Sequence, residues 1–476
     1  MRLTQNDLDK FFNPKSIALV GVSRSGWKFG GLSFLRKYLQ AGYKGNLYPI
    51  NPKADEILGV TAWPDLSALP EVPDLGVVAV AAAHIPKIIE TCGRIGLHHL
   101  HLLTSGYAET GTKEGRKLEA QLIAEAEKHG VLLIGPNCMG PYCPTSHMTA
   151  WGAIPGIPGP LGIISQSGGM TQRLTEYTAS LGLGVAKAVS VGNGCVLDTL
   201  DFLEAFGKDP SIGTIGLYLE SVKDGRRLLR VAGEVGLKKP IVLLKGGQSA
   251  AGARTALSHT GALAGNHLLW KAVARQANMI PVRNGDEWAD TLMALSFIPE
   301  PSTDGVFIIG GGGGSSVVYG DTCIREGLKV PQLAPDIMEH LRKVTPVAGS
   351  IAGNPLDLWL TFSDPAFLAE IIDLVDKDPS VGMILADRLI ARAAFHMPDE
   401  PDPTPATLAQ LKKRTGQKPI VFVVDAEGGD SELAAQGASV RAAYGAAGYA
   451  AYPTIDRAAK ALTRICRYYR KRAAAA

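Results

Sequence analysis

Short, nearly uninterrupted apolar runs recur along the chain, each followed by a small-residue turn and then by a stretch with helical spacing. Ser16-Ile17-Ala18-Leu19-Val20 runs through Gly21-Val22-Ser23 towards a helical pattern from Leu32 to Ala41. Further runs stand at 45–50, 75–81, 99–103 and 131–134, separated by helical patterns at 85–96 and 111–129. The alternation restarts at Leu161 to Ile164, Val185 to Ser190, Ile212 to Leu219 and Pro240 to Leu244, and again at Val306 to Ile309, Val381 to Ala386, Pro419 to Val424 and Tyr449 to Tyr452. Strands that read as continuous apolar runs are buried on both faces, and strand–helix alternation implies parallel sheets covered by helices.

The pattern pauses at two stiff connectors, Pro155-Gly156-Ile157-Pro158-Gly159-Pro160 and Pro299-Glu300-Pro301-Ser302-Thr303-Asp304. The expected division is therefore 1–150, 151–298 and 299–466, with 467–476 as a frayed tail. The fold class is α/β, with three doubly wound domains.

Length and composition agree with such a protein. A chain of 476 residues is expected to hold about three domains, and 46% hydrophobic with 20% charged residues suits large buried cores. Forty-eight Lys and Arg against forty-five Asp and Glu leave a net charge of +3, too balanced to imply a nucleic-acid or membrane partner. The first residues lack the apolar core of a signal sequence and no run is long enough to span a bilayer, so a cytoplasmic protein is expected. The six cysteines contain no C-x-x-C pair, which argues against a zinc site or a disulfide framework.

Candidate chemistry lies where the strands end, because ligands of open α/β sheets bind at the carboxyl edge. Gly21, Ser23, Arg24 and Lys28 lie in a turn before a helix, an arrangement that offers main-chain N–H groups to a phosphate. Asn51-Pro52-Lys53 ends the second run, where a nicotinamide-binding fold usually carries an acidic residue for the ribose. Lys53 instead suits a phosphorylated adenine nucleotide, either coenzyme A or NADP. Asn137, followed by Cys138, is either a turn former or a donor to the amide arm of such a ligand.

In the second segment, Ser165-Gln166-Ser167-Gly168-Gly169 forms another anion-binding turn at a strand-to-helix junction. Glu220 ends a neighbouring strand, and the strand after it leads into Lys245-Gly246-Gly247 and then Ser258-His259-Thr260-Gly261. Small neighbours allow a bulky group to approach the imidazole, and a carboxylate on one ring nitrogen would stabilise the ring while the other carries a phosphoryl group. The five glycines from Gly310 to Gly314 either bind phosphate or pack a helix against its sheet.

These motifs, in this order along essentially the whole chain, closely resemble the nucleoside-diphosphate-forming acyl-CoA synthetases of the succinyl-CoA ligase superfamily. They are Gly-Val-Ser from Gly21, Asn51-Pro52-Lys53, Gly135-Pro136-Asn137-Cys138, Ser165 to Gly169, Gly192-Asn193 and Ser258 to Gly265. The resemblance implies an N-terminal Rossmann-like CoA-binding domain followed by two flavodoxin-like domains. It makes His259 the phosphorylated histidine, Glu220 its supporting glutamate, and Ser165, Gln166, Ser167, Gly168 and Gly169 the phosphate site. Gly21, Ser23, Arg24, Lys28, Asn51, Lys53, Asn137 and Cys138 become the CoA-side residues, and no metal is bound by this chain.

The implied reaction reversibly converts acyl-CoA, ADP and phosphate to acid, CoA and ATP through an acyl phosphate. No stretch of the chain corresponds to an ATP-grasp domain. The resemblance therefore implies an α-type subunit that works with a nucleotide-binding ATP-grasp β-type partner holding ATP or ADP with Mg2+, in a hetero-oligomer with a paired α core.

Two departures stand out. Cys195-Val196-Leu197 occupies positions where many members carry an acidic residue, and Ala81-Ala82-Ala83-His84 replaces a Val-Pro turn. Both fall near the acyl and CoA sites expected from the resemblance. An NADP-dependent oxidoreductase and a non-catalytic CoA-binding regulatory protein are the alternative readings.

Overall fold

The computed structural model describes residues 3–23, 30–148, 151, 156–249, 251–252, 267–310, 312–345, 350–358, 364–390, 402–426 and 430–475. The expected site residues Arg24, Lys28 and His259, and most of the loop around His259, lie outside the described residues. The chain forms two compact units, Met1–Ala179 with Gly184–Trp288, and Ser180–Leu183 with Ala289–Ala476.

The first unit contains two large sheets, besides a two-stranded one of Glu56–Ile57 with Val60–Thr61. Strands β1 (Ser16–Val20), β2 (Asn46–Ile50), β3 (Leu75–Val78), β4 (His99–Leu102) and β5 (Leu132–Ile134) form a parallel sheet in the order β2-β1-β3-β4-β5. The second sheet takes β6 (Gly140–Tyr142), β7 (Pro158–Ser165), β8 (Val185–Ser190), β9 (Thr214–Leu219), β10 (Ile241–Lys245) and β11 (Ile280–Val282), in the order β11-β10-β9-β7-β8-β6. Its five strands from β7 onwards repeat the winding of the first sheet, and β6 joins β8 antiparallel at the edge.

β6 comes from the stretch expected to belong to the first domain, so the chain is laced between the two sheets ahead of the Pro-Gly connector. A pairing of Ile134 with Leu197 makes a second stitch in the reverse direction.

A common core joins the sheets. Helix α1 (Gln5–Phe12) starts at Thr4, whose side chain and that of Asp7 cap each other's main-chain N–H groups. It buries Phe11 and Phe12 completely against Phe202 and Phe206, which come from the helix following β8, at ring-centroid separations of 5.7 to 6.4 Å. Edge-to-face and tilted pairs of this kind add to the burial term.

In the second unit, β12 (Val306–Gly310), β13 (Leu356–Asp357), β14 (Met383–Ile390), β15 (Ile420–Ala426) and β16 (Ala450–Tyr452) form a parallel sheet in the order β13-β12-β14-β15-β16. Each of the three large sheets thus has the same doubly wound order, with a switch point between its first and third parallel strands. Gly312, with φ at +146°, begins the helix after β12, and Ser316 of that helix is buried.

The C-terminal residues depart from expectation. Helix Ile455–Ala475 continues through the segment read as a frayed tail. Buried Tyr468, ion pairs from Arg470 to Asp304 (3.1 Å) and Arg472 to Glu300 (2.5 Å), and the high helix propensity of alanine hold it. No helix among the described residues is long and apolar enough to cross a membrane.

If the two sheets of the first unit share one core, Phe202→Ala will destabilise that unit as a whole. The expected loss is about 3–5 kcal/mol in urea unfolding, the usual cost of an unfilled Phe cavity. A loss below about 1 kcal/mol would contradict the shared core.

Candidate active site

Strand register brings the candidate residues to one edge. Ser190 of β8 and Tyr218 of β9 both pair with Ser165 of β7, and Leu219 pairs with Lys245 of β10. The residues just beyond these positions, Gln166, Val191, Glu220 and Gly246, therefore emerge side by side. Helix α2 (Thr199–Lys208) follows β8, α3 (Gly225–Gly236) follows β9, and α4 (Gly168–Ser180) follows β7.

Ser165 is buried and shapes the turn into α4. Its hydroxyl donates to the Ser167 carbonyl at 3.0 Å and accepts the Ser167 N–H at 3.1 Å. A Cβ on Gly169 would meet nothing within 4 Å, so the start of α4 opens on free space. The first N–H groups of a helix lack partners within the helix and favour an anion, and this mouth has the room for a phosphate.

Gln166 is spent differently from the phosphate-binding expectation. Its side-chain oxygen accepts the N–H groups of Glu220 (2.7 Å) and Ser221 (3.1 Å), and its amide nitrogen donates to the Ser221 carbonyl (3.0 Å). A single side chain thereby clasps the end of β9 beside the Ser167–Gly169 turn. It positions Glu220, which is 7% exposed and accepts the Tyr218 hydroxyl at 3.1 Å.

Lys245 closes the other side. Its ammonium donates to the main-chain oxygens of Glu220, at 2.7 Å, and Gly246, and lies 5.0 Å from the centroid of the Trp270 ring. Burial pushes its pKa down to about 8, against the opposing pull of the Glu220 carboxylate. In sequence, Lys245 immediately precedes the glycine-rich stretch that contains His259.

The first sheet contributes the facing wall. Asn137 adopts a left-handed conformation with φ at 58°, and a Cβ on Gly192 (φ +57°) would lie 2.2 Å from the Pro136 oxygen and 2.5 Å from that of Asn137. Only glycine allows the turn after β8 to come this close to the turn after β5. The Asn193 N–H donates to the Pro136 oxygen at 3.1 Å, and the Cys195 N–H to the Gly135 oxygen at 3.2 Å.

The result is a cleft of about 320 Å³ in which Asn137 and Cys138 face Gln166, Ser167, Gly168 and Gly169. Cys138 is buried, its thiol donates to the Leu102 oxygen at 3.6 Å, and burial pushes its pKa well above the ordinary thiol value. It lines the cleft as a neutral thiol rather than as a nucleophile. Burial also pushes the His101 pKa down to about 4, so a neutral ring meets the Cys138 oxygen at 3.2 Å and steadies the turn.

The remaining described CoA-side candidates, Gly21, Ser23, Asn51 and Lys53, follow the ends of β1 and β2. The Asn51 amide donates to the Val22 oxygen at 2.7 Å and its oxygen accepts the Lys53 N–H at 2.8 Å. Asn51 thus ties together the two strand ends beside the switch point, while Ser23 and Lys53 are exposed there. Gly21 has φ at +92°, and a Cβ on it would strike the Ala79 oxygen at 2.4 Å.

Other residues were given no site role from the sequence. Asn193 donates through Nδ2 to Glu109 (2.6 Å) and to Glu119 (2.7 Å), and Lys223 donates to the Gly194 oxygen at 2.8 Å. Glu109 closes a strand-end motif and Asn193 follows a glycine turn, signals that were visible. Glu119 lies inside helix Lys113–Lys128 and carries no such signal. No cluster of potential metal ligands occurs among the described residues.

Three family models account for most of this architecture: a CoA binding domain over residues 15–144, a succinyl-CoA ligase like flavodoxin domain over 158–295, and a Ligase-CoA domain over 306–437. The fold and cleft define a CoA-dependent acid–thiol ligase chain.

The chain belongs to the ADP-forming acyl-CoA synthetases, as an α-type chain that uses CoA and ADP or ATP. It is 37% identical over 356 residues to the α subunit of acetate–CoA ligase [ADP-forming] I from Pyrococcus furiosus, covering 74% of this chain and 76% of that one. It is 34% identical to acetate–CoA ligase [ADP-forming] I from Archaeoglobus fulgidus, where the match covers 79% of this chain and only 54% of that longer one. Among solved structures, dinucleotide-forming acetyl-coenzyme A synthetase 1 from Ca. Korarchaeum cryptofilum, in complex with phosphate and ADP, superposes with a TM-score of 0.86 at 31% identity over 98% of both chains.

The depressed Lys245 pKa has a signed consequence. Folding lowers the pKa from its ordinary value towards about 8, so the unfolded chain binds more protons between about pH 8 and 10.5. The Lys245 contribution is least favourable below pH 8 and improves as the pH rises through that window. The stability of the native chain minus that of Lys245→Met should therefore increase from pH 8 to 10.5 in urea titrations; a flat or falling difference would refute the assignment.

Proposed function

We propose that this chain binds CoA and carries a phosphoryl group on His259, interconverting acyl-CoA, phosphate and ADP with acid, CoA and ATP. The cleft that joins Asn137 and Cys138 to the Ser167–Gly169 turn, with Glu220 clasped by Gln166 alongside, carries this reading. The α-subunit relative supports assembly with a separate nucleotide-binding subunit. An ATP-grasp β-type chain holding ATP or ADP with Mg2+, in a cytoplasmic hetero-oligomer with a paired α core, is the form we infer.

Within the chain, residues 1–150 act as the CoA-binding domain, 151–298 as the ligase domain that presents the histidine, and 299–466 as a second flavodoxin-like domain. Gly21, Ser23, Arg24, Lys28, Asn51 and Lys53 serve the nucleotide end of CoA, and Asn137 and Cys138 its thiol end.

Phosphate held at the start of α4 attacks the thioester carbonyl. A carbon–oxygen bond forms, the carbon–sulfur bond breaks, and CoA leaves as a thiolate that takes up a proton. A ring nitrogen of His259 then attacks phosphorus and expels the carboxylate. Finally, an oxygen of ADP attacks phosphorus, and the phosphorus–nitrogen bond breaks. The N–H groups of α4 meet the negative charge throughout without having to reorganise, which is where such donors are most effective. Glu220 stabilises the imidazolium form, and Gln166 holds Glu220 in place.

Incubation with acyl-CoA and labelled phosphate should give acid-labile, base-stable label on the chain. His259→Ala should abolish it, and Glu220→Gln should slow its formation by about 10²- to 10³-fold, the range seen when one preorganised electrostatic group is lost. Label that survives in His259→Ala would refute the phosphoryl-carrier assignment.

A further inference from the structure

A second cavity, of about 320 Å³, adjoins the cleft and shares Gln166, Gly192 and Asn193 with it. It runs past Asn193 between the 192–198 loop and the end of β9, with Glu119, Thr199, Leu200, Val222 and Lys223 among its walls. Asn137 and Cys138, which line the first cleft, are not among its walls.

At about 30 Å³ for each water-sized group in a liquid, the cavity has room for roughly ten such groups, so a two-carbon acyl group leaves most of it empty.

Its polarity is also specific. Thr199 is 3% exposed, and its hydroxyl has no hydrogen-bond partner among the described residues. Such a group is costly unless a ligand or water satisfies it. Glu119 lines the cavity and receives one hydrogen bond, at 2.7 Å, from Asn193. Arg227 is committed to Asp198 at 3.4 Å and Asp201 at 2.6 Å. Among the charged residues that line this space, the carboxylates of Glu119 and Asp198 outnumber the single cation of Lys223. A second carboxylate on a substrate would meet net like charge, whereas a hydroxyl could donate to Glu119 and accept from Thr199.

We propose that this cavity is the acyl pocket and that it selects monocarboxylic acids longer than acetate that bear an uncharged hydroxyl, over dicarboxylic acids. The inference rests on the ligase reading for its catalytic meaning, but the selectivity is a property of binding alone.

Saturation-transfer NMR with the full chain can read that property without turnover, using the four-carbon series butanoate, 4-hydroxybutanoate and butanedioate. 4-Hydroxybutanoate should bind at least about tenfold more tightly than butanedioate. Val222→Phe, which would intrude on the cavity, should weaken 4-hydroxybutanoate binding at least about fivefold, and Thr199→Val should erase the preference for hydroxyl over methyl. Glu119→Lys provides a second arm should Val222→Phe fail to fold, and should turn the preference towards butanedioate. Equal binding of the hydroxy acid and the diacid, or indifference to these substitutions, overturns the proposal.

The same acids assayed for acyl-CoA formation with the nucleotide-binding partner separate the two readings. The expected order of binding with no acyl-CoA formed supports the pocket and sinks the ligase reading. Acyl-CoA formation without discrimination among the acids sinks the pocket alone.

Discussion

The close approach of Gly192 to the turn at Pro136 and Asn137 is the constraint on which the rest of the site depends. With a prospective Cβ only 2.2 Å from the Pro136 oxygen and φ at +57°, no side chain fits there without displacing one of the two turns. That contact fixes the carboxyl end of the second sheet against that of the first. Asn137 and Cys138 on one side and the start of α4 on the other consequently belong to one cleft rather than to two separate sheet edges. The shared aromatic core of Phe11, Phe12, Phe202 and Phe206, and the exchange of β6 into the second sheet, make this arrangement a property of the fold and not of a loop.

Within that frame a few committed polar side chains set the chemistry. Gln166 commits both ends of its amide to the main chain at Glu220 and Ser221, so the end of β9 and the turn into α4 cannot drift apart independently. Lys245 holds the opposite margin by donating to the Glu220 oxygen while covering Trp270. Such positioning groups need not touch a substrate to matter, because charge stabilisation is effective only when the donors are already in place.

Much of this was legible in the residues themselves. Continuous apolar runs announced the parallel strands, and the turns at Gly21, Asn137, Ser165 and Gly192 marked the ligand edge, because each combines small or turn-forming residues with the end of a buried strand. The role of Gln166 was not legible: a glutamine in an anion-binding turn looks like a ligand contact until the register of β7 against β9 shows which backbone groups it reaches. Nor could the sequence show Glu119 meeting Asn193, since that contact joins a helix of the first sheet to a loop of the second, 74 residues away. The helical C-terminus was misread for a related reason, because the ion pairs of Arg470 and Arg472 are made with Asp304 and Glu300, far away in sequence.

In the proposed reaction, thioester and phosphate meet in the cleft between these two turns. A crystal structure of the full chain with CoA and phosphate tests it directly. Phosphate should lie on the N–H groups of Gly168 and Gly169, with the CoA sulfur beside Asn137 and Cys138, close enough for an intervening acyl carbon to lie at about 3–3.5 Å from a phosphate oxygen. Phosphate bound elsewhere, or a CoA sulfur directed away from the start of α4, would contradict it.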